Sequence, residues 1–255
     1  MSARKSMADK KKAVGAVAMS KEQMAKSKLL ILHGWSYSTD KWAPFMKLLE
    51  AKGLTPQLLE IPGLTAPIDQ PWTLDDYVEW LKDQVGKGKV ILLGHSNGGR
   101  ISLAFTLKHP DLVERLILID SAGIYHNEFP IRLKRFIFRN LAKTGKKLTT
   151  SEIVRNIFHK LAQVSDYRDA APKMRETMIN LTSVDLTSDL HKIAAPTLII
   201  WGARDKTTPL SDGELMYKLI PNSRIYVIRG ARHSPQFTHP EEVYDKIIEW
   251  INGGF

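Results

Sequence analysis

Gly94-His95-Ser96-Asn97-Gly98 is the stretch of this chain whose residue types and spacing carry the most chemistry. A serine with glycines two places before and after it, set between an apolar run and a helical pattern, is the arrangement that holds a hydroxyl at the tip of a tight strand-to-helix turn. The turn puts the serine in a strained backbone conformation, and Gly94 and Gly98 leave the space it needs to close. A hydroxyl is a weak nucleophile until a base takes its proton, and an acyl oxygen that turns negative needs donors. The chemistry implied is acyl transfer through Ser96.

Donors and a base are both on offer. His33-Gly34-Trp35 follows an apolar run, where Gly34 lets the backbone turn and present the Trp35 N–H beside the Asn97 N–H, a pair of amides fit for an oxyanion hole. Of eight histidines, His109 and His239 sit before a proline and His191 in a polar connection, whereas His233 lies in Gly230-Ala231-Arg232-His233-Ser234-Pro235, just past the last apolar run. It is the predicted base. The acid that orients it must also follow a strand. Asp205, in Trp201-Gly202-Ala203-Arg204-Asp205-Lys206, is the preferred candidate, and Asp120, at the end of another apolar run, is the alternative. Either one gives the chain order Ser, Asp, His.

The elements that must position these residues can be read from hydrophobic periodicity. Leu29–Leu32, Val90–Leu93, Leu116–Ile119 and Thr197–Ile200 are short runs apolar on both faces, the mark of strands buried within a parallel sheet, and Ile225–Ile228 makes a fifth. Helical patterns alternate with them over 74–85 (Thr73 as N-cap, with Asp76 three residues on), 97–108, 211–219 (capped near Ser211 or Asp212) and 241–251 after Pro240. Strand–helix alternation of this kind predicts an α/β fold, a doubly wound and mostly parallel sheet with helices on both faces. Residues 122–190 break the rhythm. They carry helix formers and no strand run, with helices expected over Phe129–Lys143, Ser151–Ala162 and Pro172–Leu181, and they read as a helical insertion that roofs a pocket.

Charge bounds the remaining function classes. The chain has 255 residues, no cysteine and a net charge of +10. Disulfides, thiolate metal sites and thiol nucleophiles are excluded. Residues 1–28 hold eight Lys or Arg against Asp9 and Glu22, and residues 122–190 hold twelve against seven acids, so the rest of the chain is near neutral. The basic excess therefore belongs to a tail over 1–27, expected to be flexible, and to the insertion. No nucleic-acid partner is expected, since no aromatic residues interleave the N-terminal lysines for base stacking, and binding of nucleic acid or an anionic membrane by those lysines is the lesser reading. The seven-residue apolar run Ala13–Met19 is too short and too weakly apolar for a secretion signal, so a cytoplasmic protein is expected, with no stable membrane insertion. No metal-ligand cluster, phosphate loop or dinucleotide fingerprint is present, so no cofactor and no metal are expected.

From Leu29 to Trp250 the chain resembles the α/β-hydrolase superfamily. The likeness rests on His33-Gly34-Trp35, Gly94-His95-Ser96-Asn97-Gly98-Gly99, Pro196–Gly202 with Asp205 and Pro209, and the His233-Ser234-Pro235 turn. The resemblance implies a core over 28–121 and 191–255, a helical cap at 122–190, a cofactor-free Ser–His–Asp mechanism and the Trp35 and Asn97 amides as oxyanion donors. Ser96 at the elbow sets the chain apart from relatives with an aspartate nucleophile, the epoxide hydrolases and haloalkane dehalogenases. The pattern is similar to the small capped carboxylesterases, lactonases and carbon–carbon bond hydrolases, although Asn97 stands where many of them carry Met, Leu or Gln. The expected activity is hydrolysis of small carboxylic esters with short to medium acyl chains. Lactone or carbon–carbon bond hydrolysis is the alternative, and a non-catalytic binding protein on the same scaffold is a third reading.

Overall fold

Residues 18–19, 27–36, 38–51, 53–125 and 172–253 are described by a computed structural model. Six strands, β1 (Lys28–Leu32), β2 (Thr55–Leu58), β3 (Val90–His95), β4 (Val113–Ile119), β5 (Thr197–Gly202) and β6 (Ser223–Ile228), form one sheet in the order β2-β1-β3-β4-β5-β6. Every adjacent pair among the described residues is parallel, in keeping with the expected mostly parallel sheet. The helices are α1 (Ala43–Glu50), α2 (Leu74–Val85), α3 (Asn97–Lys108), α4 (Pro172–Thr182), α5 (Leu210–Leu219), α6 (Pro235–Thr238) and α7 (Pro240–Ile251).

The double-sided apolar runs explain the layering. Leu29, Ile31, Ile91, Leu93, Ile117 and Ile119 join one buried cluster with Phe45 and Leu49 of α1 and Ile247 and Trp250 of α7. Their neighbours Leu30, Leu32, Leu92, Leu116 and Leu118 join the other, with Tyr77 and Leu81 of α2, Phe105 of α3 and Met216 of α5. Alternate side chains of one strand thus fill two cores. Each fully buried aliphatic side chain contributes about 1.5–3 kcal/mol by leaving water.

Two elements lack the expected signals. β2, Thr-Pro-Gln-Leu, is an edge strand exposed or half-exposed throughout, and Pro56 removes one ladder donor, so it carries neither an apolar run nor β-branched density. α1 is eight residues long, with Pro44 in its first turn, where the missing N–H costs nothing. Elsewhere the boundaries agree closely. Thr73 and Asp76 form the reciprocal capping box of α2. α5 departs slightly: its N-cap is Pro209, not Ser211 or Asp212, because the chain already turns helical at Leu210.

Of the three helices expected in 122–190, Pro172–Leu181 corresponds to α4, while Phe129–Lys143 and Ser151–Ala162 lie outside the described residues. α4 is tied to the connection before α2: the Trp72 amide donates to Thr177 Oγ1 at 2.9 Å and Asn180 Nδ2 to the Trp72 carbonyl at 3.2 Å. Within the segment expected as a flexible tail, Met19 is buried in the α1/α7 core, and its amide donates to the Ile251 carbonyl at 3.0 Å. The chain is anchored at that residue. No helix among the described residues is long and apolar enough to cross a membrane.

Parallel strands put all their carboxyl ends on one edge, and this order reverses direction between β1 and β3. A crevice opens outside the sheet at such a reversal. Trp35, three residues past the end of β1, and Ser96, immediately after β3, are the residues that this topology delivers there.

Candidate active site

Ser96 sits between β3 and α3 with φ 53° and ψ −119°, a backbone conformation that residues with a Cβ rarely adopt. Its amide donates to the Ile119 carbonyl at 3.1 Å and its carbonyl accepts from Ala122 at 2.8 Å, so the strained turn is fastened to the end of β4. The spacing of the flanking glycines follows from contact. A Cβ on Gly98 would lie 2.1 Å from the Leu32 carbonyl oxygen of β1, and one on Gly94 would lie 2.6 Å from the Gly99 Cα.

The Ser96 hydroxyl lies 3.0 Å from His233 Nε2, and His233 Nδ1 lies 2.7 Å from Asp205 Oδ2. A carboxylate only accepts, so Nδ1 carries the proton and Nε2 presents its lone pair to Ser96. Asp205 is itself held in place. Its Oδ1 accepts the Thr207 amide at 2.7 Å and the Thr208 amide at 3.2 Å, and the Thr208 hydroxyl lies 2.8 Å from Oδ2. Burial pushes the Asp205 carboxyl up, but its hydrogen bond with His233, the imidazole charge and the threonine donors outweigh that and leave it below the usual carboxylate range. The Asp205 side chain is fully buried and His233 only partly so, which leaves the imidazole open toward a substrate.

Asp120, the alternative acid, is placed differently. Its Oδ1 accepts the Gly202 amide at 2.7 Å and its Oδ2 the Ser234 amide at 2.8 Å. Both oxygens are thereby engaged by the backbone. One carboxylate staples the end of β5, which leads into the Asp205 loop, to the residue after His233. Ser234 follows with φ 96°, so the backbone turns sharply there.

Burial pushes the Asp120 carboxyl up to about 7, against the pull of those two amides. A carboxyl that holds its proton more tightly folded than unfolded makes the native state lose stability as pH rises from about 4 to 7, by about 1.4 kcal/mol per unit at most. Burial lowers the His33 and His95 pKa values, so those groups gain stability over the same range, and the Asp120 contribution is read as a difference between wild type and Asp120→Asn. Because one backbone donor then faces an amide nitrogen, the variant should be the less stable at pH 4, and urea unfolding at several pH values should show its deficit shrinking as pH rises toward 7. A deficit that stays constant would show that Asp120 holds no such proton.

His95 completes the surroundings. It is buried, its Nε2 lies 3.1 Å from Ser234 Oγ, and its ring packs 5.0 Å from that of His233. Burial, followed by the nearby His233 and His33, holds it well below the ordinary histidine range, so no second imidazolium competes with His233. His95, Asp120 and His233 bring potential ligand atoms within 4.8 Å of one another. Those groups are already engaged by Ser96, Asp205, Ser234 and the Gly202 amide, which makes the cluster a hydrogen-bonded support. Of the supporting residues, Thr208 was the most accessible to sequence reasoning: Asp-Lys-Thr-Thr after a strand is the composition of a turn in which the carboxylate caps the following amides.

Asn97 follows Ser96 directly and Trp35 follows β1, the strand beside β3, and neither amide donates to a backbone carbonyl among the described residues. Gly34, just before Trp35, does not have a positive φ. It is required for room, because a Cβ there would lie 2.9 Å from both His95 Nδ1 and Ser96 Cβ. Ile131, Phe136–Phe138, Ile157, Phe158 and Leu161, whose helical spacing reads as packing first and as the lining of an acyl pocket second, lie outside the described residues, as do His126 and His159. A groove of about 580 Å³ between α2, α3 and α4, lined by Val78, Leu107, Asn180 and Leu186, contains none of Ser96, Asp205 or His233.

A family model of the alpha/beta hydrolase fold matches residues 28–163 and 154–240. The chain belongs to that family. Pimeloyl-[acyl-carrier protein] methyl ester esterase of Edwardsiella ictaluri (strain 93-146) is 25% identical over 251 residues, 89% of this chain and 94% of that protein. A 2-hydroxy-6-oxononadienedioate/2-hydroxy-6-oxononatrienedioate hydrolase of Pseudomonas putida is 26% identical over 253 residues, 88% of this chain and 87% of that protein. The crystal structure of an alpha/beta hydrolase enzyme from a lagoon-sediment metagenome of Mar Chica, Morocco, is similar with a TM-score of 0.66 and 26% identity, covering 88% of this chain and 90% of that one. The expected enzyme class, an ester hydrolase of this family, stands.

Proposed function

We propose that this alpha/beta hydrolase cleaves small carboxylic esters of short to medium acyl chain, with Ser96 as nucleophile, His233 as base and then acid, and Asp205 as the carboxylate that orients His233. The observation that carries the reading is the continuous relay of 3.0 Å from Ser96 Oγ to His233 Nε2 and 2.7 Å from His233 Nδ1 to Asp205. As Ser96 Oγ bonds to the ester carbonyl carbon, its proton passes to Nε2 and the carbonyl oxygen becomes an oxyanion. The Trp35 and Asn97 amides receive that charge, each worth about 3 kcal/mol to the transition state. The tetrahedral centre collapses, and Nε2 returns its proton to the leaving alcohol. A water, deprotonated by the same nitrogen, then frees the acid and restores Ser96.

The similarity to the Pseudomonas putida hydrolase favours a second reading, in which the same residues open a lactone or a carbon–carbon bond next to a carbonyl. Incubation with a fluorophosphonate probe, peptide mapping of the adduct, and a panel of p-nitrophenyl esters, lactones and a vinylogous diketone test both. Labelling at Ser96 with turnover of the esters is the expected result. Labelling with turnover of the lactone or diketone alone would select the second reading. Absence of labelling would overturn the nucleophile and favour a binding protein on this scaffold.

A further inference from the structure

The oxyanion donor Trp35 N–H belongs to the same peptide group as the Gly34 carbonyl. The described residues contain no cis peptide, and in a trans peptide the C=O and N–H bonds point in opposite directions. Whatever fixes the Gly34 oxygen therefore aims the Trp35 hydrogen. That oxygen lies 2.7 Å from Nδ1 of His33, whose side chain is completely buried. A Cβ on Gly34 would lie 2.9 Å from Ser96 Cβ and from His95 Nδ1, which places this stretch of backbone beside the nucleophile.

The hydrogen bonds assign the His33 tautomer. A carbonyl only accepts, so Nδ1 carries the proton. The other ring nitrogen, Nε2, lies 3.2 Å from Thr65 Oγ1, and that oxygen already accepts the Ile61 amide at 2.8 Å. The hydroxyl proton of Thr65 is then free to point at Nε2, which gives a head-to-tail run from the Ile61 amide through Thr65 and His33 to the Gly34 carbonyl. The anchoring turn is stiff. The Leu64, Thr65 and Ala66 amides all donate to the Ile61 carbonyl, and the buried Tyr77 hydroxyl of α2 donates to the Pro62 carbonyl at 2.7 Å. Desolvation lowers the His33 pKa, against the Gly34 bond and the charge of Glu60, in keeping with a neutral ring.

We infer that His33 is a positioning residue for the reaction: clamped by Thr65, its Nδ1–H holds the Gly34 carbonyl so that the Trp35 amide stays aimed at the developing oxyanion. The inference rests on the proposed serine mechanism and adds a residue that touches neither substrate nor Ser96. An untethered peptide can rotate its N–H away or pair it with water, and a donor that must reorganise during the reaction stabilises less than a fixed one.

The test compares His33→Leu, His33→Asn and Thr65→Val with wild type and Ser96→Ala in the full chain, using p-nitrophenyl butyrate as substrate and butylboronic acid as a tetrahedral-adduct probe. His33→Leu should lower kcat by about 10- to 100-fold, part of the 10²- to 10³-fold worth of one oxyanion donor, with KM within about twofold. Boronate affinity should fall in parallel. His33→Asn, whose amide nitrogen falls close to the Nδ1 position, should recover most of kcat. Thr65→Val should give a smaller loss, because Nε2 is released and the tautomer is free to change; it keeps the test open if His33→Leu fails to fold. A kcat near wild type in His33→Leu, or a loss confined to KM, would overturn the assignment. Independently of turnover, ¹⁵N–¹H correlation of the wild-type imidazole should show His33 neutral with its proton on Nδ1, and a proton on Nε2 alone would overturn the clamp. Turnover that survives Ser96→Ala would instead reject the serine mechanism, and the imidazole spectrum would still decide the clamp.

Discussion

Ser96→Ala is expected to lower kcat for p-nitrophenyl butyrate by about 10⁵- to 10⁶-fold, the scale on which nucleophile and base fail as a unit. The alanine leaves His233 with nothing to deprotonate in the acylation step, while the Trp35 and Asn97 amides can still polarise a bound carbonyl. A residue of catalysis over water is therefore expected to remain. The fold should not suffer. Serine and alanine both carry a Cβ, so the positive φ of 53° is equally strained in either, and among the described residues the hydrogen-bond partner lost with the hydroxyl is His233 Nε2. Steady-state rates beside a urea unfolding curve separate the two effects. Retention of more than about a thousandth of wild-type kcat, with an unchanged unfolding midpoint, would remove Ser96 from the mechanism.

What could be read before the structure follows from which signals are local. The serine turn was legible because its chemistry, steric need and secondary-structure context are compressed into Gly94–Gly98 and the runs on either side. The strands of the two cores were legible because burial on both faces leaves no polar position in them. β2 was not, since an edge strand of Thr-Pro-Gln-Leu needs only backbone pairing with β1. The sequence favours Asp205 over Asp120 but leaves both open. Both follow parallel strands onto one edge, and which of them meets His233 depends on how the loops after β5 and β6 fold back. The structure makes the division by backbone donors, with Asp120 occupied on both oxygens by Gly202 and Ser234 while Asp205 keeps one oxygen for the imidazole. His33 was noticed only for its glycine neighbour. Its side-chain partner Thr65 is 32 residues away, a contact that no local pattern announces.

Asp205→Asn should be nearly as damaging as loss of the nucleophile, and the reason lies in the directions of its hydrogen bonds. Oδ1 of Asp205 accepts two backbone amides, from Thr207 and Thr208. Those are donors, so in the variant the carbonyl oxygen of the asparagine must stay with them, and its NH₂ group is forced to the Oδ2 position. There it meets His233 Nδ1, which lies 2.7 Å from the carboxylate in the wild type. An NH₂ only donates, so Nδ1 must become the acceptor and the imidazole proton moves to Nε2. Nε2–H then faces Ser96 and cannot take its proton. The Thr208 hydroxyl, 3.0 Å from the Asp120 carbonyl, can donate there and accept from the new NH₂, so no buried polar group loses its partner and the fold should be retained. The expected loss is about 10⁴-fold in kcat with KM little changed, since this is a tautomer error and not a binding defect. Asp120→Asn, assayed alongside, breaks one loop staple and leaves the tautomer alone, and its loss in kcat should be far smaller. If the two losses were reversed, Asp120 would be the working acid, and the 2.7 Å contact between His233 and Asp205 would be support alone.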